Sequence, residues 1–205
     1  MQFTDEVVLV TGAAGGLGRA ISLAFASAGA RVAMTDLDAG GLAHTAASVA
    51  AVGEAWSAAA DISVPTTPDD LVGRIVADLG DLHVVVNNAG ILRNGALHRM
   101  DDATFDAVID VNLRATFRLT RAAARHLRDR GADGRRAIVN IASVNGLRGF
   151  SGSANYAASK AAVIGLTRAA ARELGPSGVR VNAVAPGLIR TPMTGPEGIR
   201  PDWTE

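Results

Sequence analysis

The stretch that decides the fold is Val7-Val8-Leu9-Val10-Thr11-Gly12-Ala13-Ala14-Gly15-Gly16-Leu17-Gly18. Four consecutive apolar residues, three of them β-branched, read as a strand buried on both faces. A glycine-rich turn follows at once, and the run 16–28 beyond it has a helical pattern that Gly29 ends. Glycines let the chain turn tightly and bring its backbone close to an anion with no side chain in the way. The start of a helix then presents free N–H groups and a partial positive charge. Strand, turn and helix form the first part of a βαβ unit that can hold a phosphate. The glycine spacing of 12, 16 and 18 departs from the Gly-x-Gly-x-x-Gly dinucleotide pattern, so the turn's place after the first strand carries more weight than its composition.

The same alternation continues along the chain. Runs 7–10, 31–36, 54–60, 82–86, 137–142 and 179–184 read as strands. Runs 16–28, 40–51, 69–79, 104–130 and 154–174 read as helices, the last stopped by Gly175-Pro176. Alternating strands and helices predict an α/β fold with a doubly wound parallel sheet. With 205 residues, 48% of them hydrophobic and 20% charged, the chain 1–205 is expected to form a single domain. A formal net charge of zero supplies no overall field toward nucleic acid or an anionic membrane. The absence of cysteine excludes disulfides and thiol catalysis. His44, His83, His98 and His126 show no metal-ligand spacing, so no metal site is expected. No basic segment followed by a long apolar stretch opens the chain, and a cytoplasmic location is the expectation.

The second strand ends in Asp36, eighteen residues after Gly18. A carboxylate there can accept hydrogen bonds from the adenosine ribose hydroxyls and repel a 2′-phosphate. Neither Gly15 nor Leu37 offers a cation for such a phosphate, so NAD(H) is favoured over NADP(H). Farther on, the chain's single tyrosine and single lysine stand four residues apart in Tyr156-Ala157-Ala158-Ser159-Lys160. On a helix that spacing places both on one face, one turn apart. The other nineteen basic residues are arginine. Position 160 is therefore a place where a compact ammonium serves and a guanidinium fork does not.

Taken in order, these motifs resemble the short-chain dehydrogenase/reductase family, most of all its 3-oxoacyl-carrier-protein reductase-like group. The likeness spans nearly the whole chain. It rests on Thr11-Gly12-(x)3-Gly16-x-Gly18, Asp61-Ile62, Asn87-Asn88-Ala89-Gly90, Asn112, Ser143, Tyr156-(x)3-Lys160, and Pro186-Gly187 with Thr191. The resemblance implies a Rossmann fold of strand order 3-2-1-4-5-6. It implies Tyr156 as general acid/base beside the nicotinamide, Lys160 binding the nicotinamide ribose, and Ser143 on the substrate oxygen. Asn112 would hold a water that links Lys160 to solvent. Cofactor contacts fall to Gly12, Gly15, Gly16, Leu17, Gly18, Asp36, Asp61, Ile62, Asn88, Ala89, Gly90, Pro186, Gly187, Ile189 and Thr191, besides Tyr156 and Lys160. Asn145 joins Ser143 and Tyr156 at the substrate, and Leu92, Asn94, Leu147, Arg148, Phe150 and Ile189 border its pocket.

A phenol working near neutral pH needs its pKa lowered by about 3–4 kcal/mol. An ammonium about 4 Å away at an effective dielectric of about 20 supplies roughly that much, so Lys160 is expected to activate Tyr156 almost alone. The long helices 104–130 and 154–174 imply a homodimer or homotetramer. Arginines 125, 128, 130, 135 and 136 read as solvated surface cations at a helix end rather than as a docking site for an acidic carrier. Family members continue beyond the equivalent of Thr191 through a lid and a seventh strand. The resemblance therefore predicts no seventh strand here, a sixth strand at an exposed edge, and a lid remnant over 193–203. Two functions are open: an NAD(H)-dependent oxidoreductase that interconverts a secondary alcohol and a ketone (a 3-hydroxyacyl thioester or related small alcohol), and a dinucleotide-binding module without turnover.

Overall fold

The computed structural model describes residues 3–129, 135–191 and 193. Six parallel strands form one sheet in the order β3-β2-β1-β4-β5-β6. These are β1 (Val7–Thr11), β2 (Arg31–Asp36), β3 (Ala55–Ala59), β4 (Val84–Asn87), β5 (Ala137–Ile141) and β6 (Arg180–Val184). The helices are α1 (Gly16–Ser27), α2 (Ala39–Ala50), α3 (Thr67–Leu79), α4 (Asp102–Ile109), α5 (Thr116–Leu127), α6 (Asn145–Arg148) and α7 (Ala154–Leu174). The central strand shows why the hydrophobic run decides the fold. Val7 and Leu9 point into a core made with Leu71 and Ile75 of α3, Leu119 and Leu127 of α5 and Leu174 of α7. Val8 and Val10 point the other way, onto Ala26 of α1 and Leu42 and Val49 of α2. With both faces covered, alternation of polar and apolar residues would have left polar groups stranded, and the strand is apolar throughout.

The register fixes what meets at the top of the sheet. Thr11 pairs with Thr35, Val10 with Val86, and Asn87 with Asn140. The chain leaves every one of these strands at the same edge, where parallel sheets gather their ligands. β6 pairs with β5 from Ala137↔Arg180 to Ile141↔Val184, and most of its residues are exposed. No seventh strand occurs among the described residues.

The continuous helix expected over 104–130 differs in two respects. It begins earlier, because the Asp101 side chain caps it by accepting from the Thr104 N–H at 2.7 Å. It is then interrupted by a π-helical turn, Asp110–Ala115, between α4 and α5. Asn112 lies in that turn and is 0% exposed. Its Oδ1 accepts from the Ile91 N–H at 2.8 Å, and its Nδ2 donates to the Ile91 carbonyl at 3.0 Å and to Ser159 Oγ at 3.2 Å. Widening the helix at this point lets one buried amide meet both backbone groups of Ile91. Arg130, the expected last residue of that helix, lies outside the described residues, as does all of the expected lid remnant except Met193.

The charged stretch before β5 needs one correction. Arg125 pairs with Asp69 at 2.9 Å and Arg128 with Asp129 at 3.4 Å on the surface, as solvated cations do. Arg136, by contrast, is 4% exposed. It donates to the Leu82 carbonyl at 3.0 Å and lies 3.4 Å from Asp81. Asp81 also meets His126 Nε2 at 2.6 Å. Burial alone would raise the Asp81 carboxyl, but hydrogen bonds from His126, the Leu82 N–H and Arg136 outweigh it and hold the pKa at about 2. This network closes the end of the sheet opposite the glycine turn.

Candidate active site

The glycine turn after β1 is held from behind. Asn88 Nδ2 donates to the carbonyls of Thr11 at 2.9 Å and Gly12 at 3.1 Å. Thr11 Oγ1 accepts in return from the Asn88 and Ala89 N–H groups at 3.1 and 3.0 Å. Gly12 adopts φ +66°, and a Cβ there would come within 2.8 Å of the Ala89 backbone. At Gly18 a Cβ would fall 2.0 Å from the Gly12 carbonyl oxygen, so α1 can pack onto the turn only with glycine at that position. At Gly15 the direction a Cβ would take is clear of protein for 4 Å. The first turn of α1 has no side-chain cap. Its free N–H groups open instead onto a cleft of about 440 Å³ lined by Gly12, Gly15, Gly16, Asp36, Tyr156 and Lys160 among others. An extended dinucleotide pyrophosphate fits these features: a glycine cradle, a helix start without a capping side chain, and open space where a side chain would otherwise stand.

Asp36 lies at one end of this cleft. Its Oδ2 accepts from the Ala14 N–H at 2.9 Å and its Oδ1 from the Asp38 N–H at 3.0 Å, which fixes the carboxylate while leaving lone pairs free. Asp38 lines the same cleft, and its carboxylate caps α2 through Gly40 and Gly41. Asp38 is a candidate that the motifs do not single out. The available signal was Asp36-Leu37-Asp38 just before a helical run, an N-cap pattern that adds a second negative charge at this mouth. A smaller adjoining cavity is lined by Asp61 and Ile62, with Gly12, Asp36, Ala89 and Gly90 shared between the two.

At the other end lies a pocket of about 130 Å³, lined by Leu92, Asn94, Ser143, Phe150, Pro186 and Ile189 among others. Tyr156 belongs to the linings of both cavities, as do Leu17, Ile141, Thr191 and Met193. Pro186, Gly187 and Ile189, expected at the cofactor, border this smaller pocket. Leu147 and Arg148 are not among its lining residues. Asn145 lines it, but its amide is committed elsewhere. Nδ2 donates to Ser153 Oγ at 2.8 Å and Oδ1 accepts from the Phe150 N–H at 2.9 Å. Its backbone N–H donates to Ser143 Oγ at 3.1 Å.

Lys160 is 4% exposed, and its Nζ donates to the Ile141 carbonyl at 2.7 Å. The ammonium stands 5.7 Å from the centre of the Tyr156 ring. Burial pulls its pKa down from 10.5 to about 8. Burial also pushes the Tyr156 phenol above its ordinary value, and a hydrogen bond with Ser143 pulls it part of the way back. The direction of the phenol's shift runs against the expectation that Lys160 alone activates it. A Coulomb attraction across about 4 Å at an effective dielectric of about 20 leaves out the cost of burying the phenolate itself. In the fold the ammonium is drawn to a carbonyl, and the loss of water raises the cost of the phenolate. Asn112 reaches this group indirectly, through Ser159, whose hydroxyl donates to the Tyr156 carbonyl at 2.8 Å.

A phenol, a hydroxyl and an ammonium thus meet where two cavities join, one shaped for a dinucleotide and one for a small, largely apolar molecule. The family model for short chain dehydrogenases matches residues 6–200. The (2S)-[(R)-hydroxy(phenyl)methyl]succinyl-CoA dehydrogenase subunit BbsD of Thauera aromatica is 42% identical over 194 residues, which span 94% of this chain and 77% of that protein. A 3-oxoacyl-[acyl-carrier-protein] reductase of Thermotoga maritima is 41% identical over 200 residues, 95% of this chain and 78% of that one. The crystal structure of a 3-ketoacyl-(acyl-carrier-protein) reductase from Brucella melitensis in complex with NADH superposes with a TM-score of 0.88 at 33% identity, covering 94% of this chain and 79% of that one. The protein belongs to the short-chain dehydrogenase/reductase family, oxidoreductases that act on CH–OH groups with a nicotinamide dinucleotide, and it resembles the 3-oxoacyl reductases within it.

Proposed function

We propose that this chain, as one domain, interconverts a 3-oxoacyl thioester and the corresponding 3-hydroxyacyl thioester with NAD(H). The observation that carries the reading is the position of Tyr156 on the wall between the two cavities, with Ser143 and Lys160 at hand. When bound, the nicotinamide gives or takes the hydride. The chain's residues handle the proton and the charge. Ser143 donates to the substrate oxygen and steadies its developing charge. Tyr156 passes its phenolic proton to that oxygen as the hydride arrives at carbon. The raised phenol pKa keeps that proton in place at neutral pH, the form that carbonyl reduction consumes. In the direction of alcohol oxidation the phenol must come down, and the positive charge of an oxidised nicotinamide acts in that sense. Lys160 spends one of its three donors on Ile141 and lines the dinucleotide cleft, where the others are available to the nicotinamide ribose.

The choice of NAD(H) rests on two carboxylates, Asp36 and Asp38, at the mouth that receives the adenosine ribose. A 2′-phosphate would be brought against both. The choice of a thioester rests on the relatives, which act on coenzyme A or carrier-protein thioesters by their names. Assembly through α4, α5 and α7 fits the exposure of Phe105 and Phe117 on that side. The test is NADH consumption with acetoacetyl-CoA by the wild-type protein and by Tyr156→Phe. The wild type turns over, and the variant falls by about 10²–10⁴-fold, the usual worth of a positioned acid/base. Undiminished turnover by Tyr156→Phe would sink the assignment of Tyr156. NADH binding without turnover on this and other carbonyls would favour the binding-module reading.

A further inference from the structure

Asn155 immediately precedes the phenol and is 0% exposed. Its Oδ1 accepts from the Tyr156 N–H at 2.7 Å. Its Nδ2 donates to the Arg93 carbonyl at 3.0 Å and stands 3.4 Å from the Thr104 carbonyl. One amide thus joins three elements: the first turn of α7, the segment after β4 that supplies Leu92 and Asn94 to the pocket, and α4.

The reason lies in the start of α7. Ser153 occupies the N-cap position, where a serine side chain ordinarily accepts from an N–H of the first turn. Here it makes no cap. Its hydroxyl is diverted to the pocket loop, accepting from Asn145 Nδ2 at 2.8 Å and donating to the Phe150 carbonyl at 2.9 Å. The first-turn N–H groups then need another acceptor. Asn155 provides it for the residue that carries the phenol. The backbone bond from the Gly95 N–H to the Gly152 carbonyl at 2.8 Å joins the same two loops from the other side.

We propose that Asn155 is a positioning residue for proton transfer, fixing Tyr156 against the substrate pocket and tying the 91–95 segment to it. The proposal rests on the reading of Tyr156 as acid/base. Asn155 itself lines neither cavity. Its effect passes through backbone groups.

The chain's single tyrosine makes a test possible that does not depend on turnover, because the ultraviolet absorbance of tyrosinate reports Tyr156 alone. In Asn155→Ala the first turn loosens and admits water, so the titration midpoint falls from its raised wild-type value toward about 10. Reductive kcat with acetoacetyl-CoA falls by about 10–100-fold, as for a small misplacement of a reacting group. KM changes much less, and NADH affinity stays near that of the wild type. Asn155→Asp keeps the acceptor for Tyr156. Its carboxyl can donate to the Arg93 carbonyl only while protonated, so its activity acquires a falling limb as the carboxyl ionises. If Asn155→Ala does not fold, judged by lost NADH binding, the Asp variant decides. An unchanged tyrosinate midpoint with unchanged kcat in a folded Ala variant overturns the proposal, as does an Asp variant with the wild-type pH profile. If the wild type fails on acetoacetyl-CoA, the substrate assignment falls, while the tyrosinate midpoints still decide the role of Asn155.

Discussion

Lys160→Met removes the chain's one ammonium side chain and leaves a linear apolar side chain of similar length. In the fold that ammonium is 4% exposed and is set against the Ile141 carbonyl rather than a carboxylate. Burial lowers its pKa from 10.5 to about 8, a difference worth about 3 kcal/mol of stability. The sign follows from proton counts. Between pH 8 and 10.5 the unfolded chain binds the lysine proton and the folded chain has released it, so folding becomes more favourable as pH rises. Below pH 8 the full cost of burying a cation is carried. Wild-type stability relative to Lys160→Met is therefore lowest near neutral pH and climbs by about 3 kcal/mol toward pH 10.5. For a chain of this size that is a relative shift in Tm of about 6–12 °C. At pH 7 the variant also loses a hydrogen bond to a buried carbonyl, worth about 1–3 kcal/mol. The pH dependence of the difference is therefore the informative quantity, rather than its value at one pH. Urea denaturation of both proteins at pH 7, 8, 9 and 10 measures it, and Tyr156, present in both, largely cancels. A stability difference that stays flat over this range would refute the argument that Lys160 is held against its own solvation. Turnover by the variant should be lost throughout.

Three further outcomes follow from the geometry. Asp36→Ala should relax the preference for NADH over NADPH, measured as the ratio of their kcat/KM values, and Asp38→Ala should relax it less; an unchanged ratio in both contradicts the cofactor assignment. Asp81→Asn should destabilise the fold by about 2 kcal/mol or more, because the carboxyl held at about 2 loses its charge and buried Arg136 loses its partner. In the wild type the same contribution is present above about pH 4 and disappears as pH falls toward 2, which acid denaturation of the two proteins reads directly. Gly18→Ala should cost about 3 kcal/mol or more by pressing on the Gly12 carbonyl, a backbone atom that cannot give way, whereas Gly15→Ala should fold normally and weaken dinucleotide binding; calorimetry with NADH beside thermal melts separates the two.

The inner strands could be read in the sequence because burial on two faces leaves unbroken apolar runs, as in β1 and β4, and the order of motifs along alternating strands and helices points to one edge of the sheet for Gly12, Asp36, Asn88, Ser143, Tyr156 and Lys160. The arrangement of the helices was less visible. A π-helical turn has no pattern of its own in the spacing of apolar residues, so the break at Asn112 could not be seen, although an asparagine within an apolar helical run hinted at a local requirement. Asn145 was expected at the substrate, but its link to Ser153, and the bridge made by Asn155, have no sequence signal, since their partners are backbone atoms and each other, brought together only by folding. Arg136 was misread for the same reason. It ends a charged run that begins at Arg128, while its partners Asp81 and Leu82 are more than fifty residues away.

The two ends of the sheet treat buried charge in opposite ways. At the end closed by Asp81, each charge has a counter-charge or several donors, and the carboxyl is driven far toward its ionised form. At the end that carries Tyr156, the phenol and the buried ammonium are both pushed toward neutrality, the lysine downward and the phenol upward. A pair left in that condition is responsive. On the proposed reading a new positive charge nearby would lower the phenol, and the ribose hydroxyls of a bound dinucleotide would replace part of the water the ammonium has lost. The arrangement costs stability where nothing is bound and returns it on binding, so the dinucleotide should stabilise the wild type more than Lys160→Met. The uncharged polar groups beside the pair, Asn112, Ser159 and Asn155, bond to one another or to the backbone of Tyr156 without adding a charge that would settle either protonation state in advance.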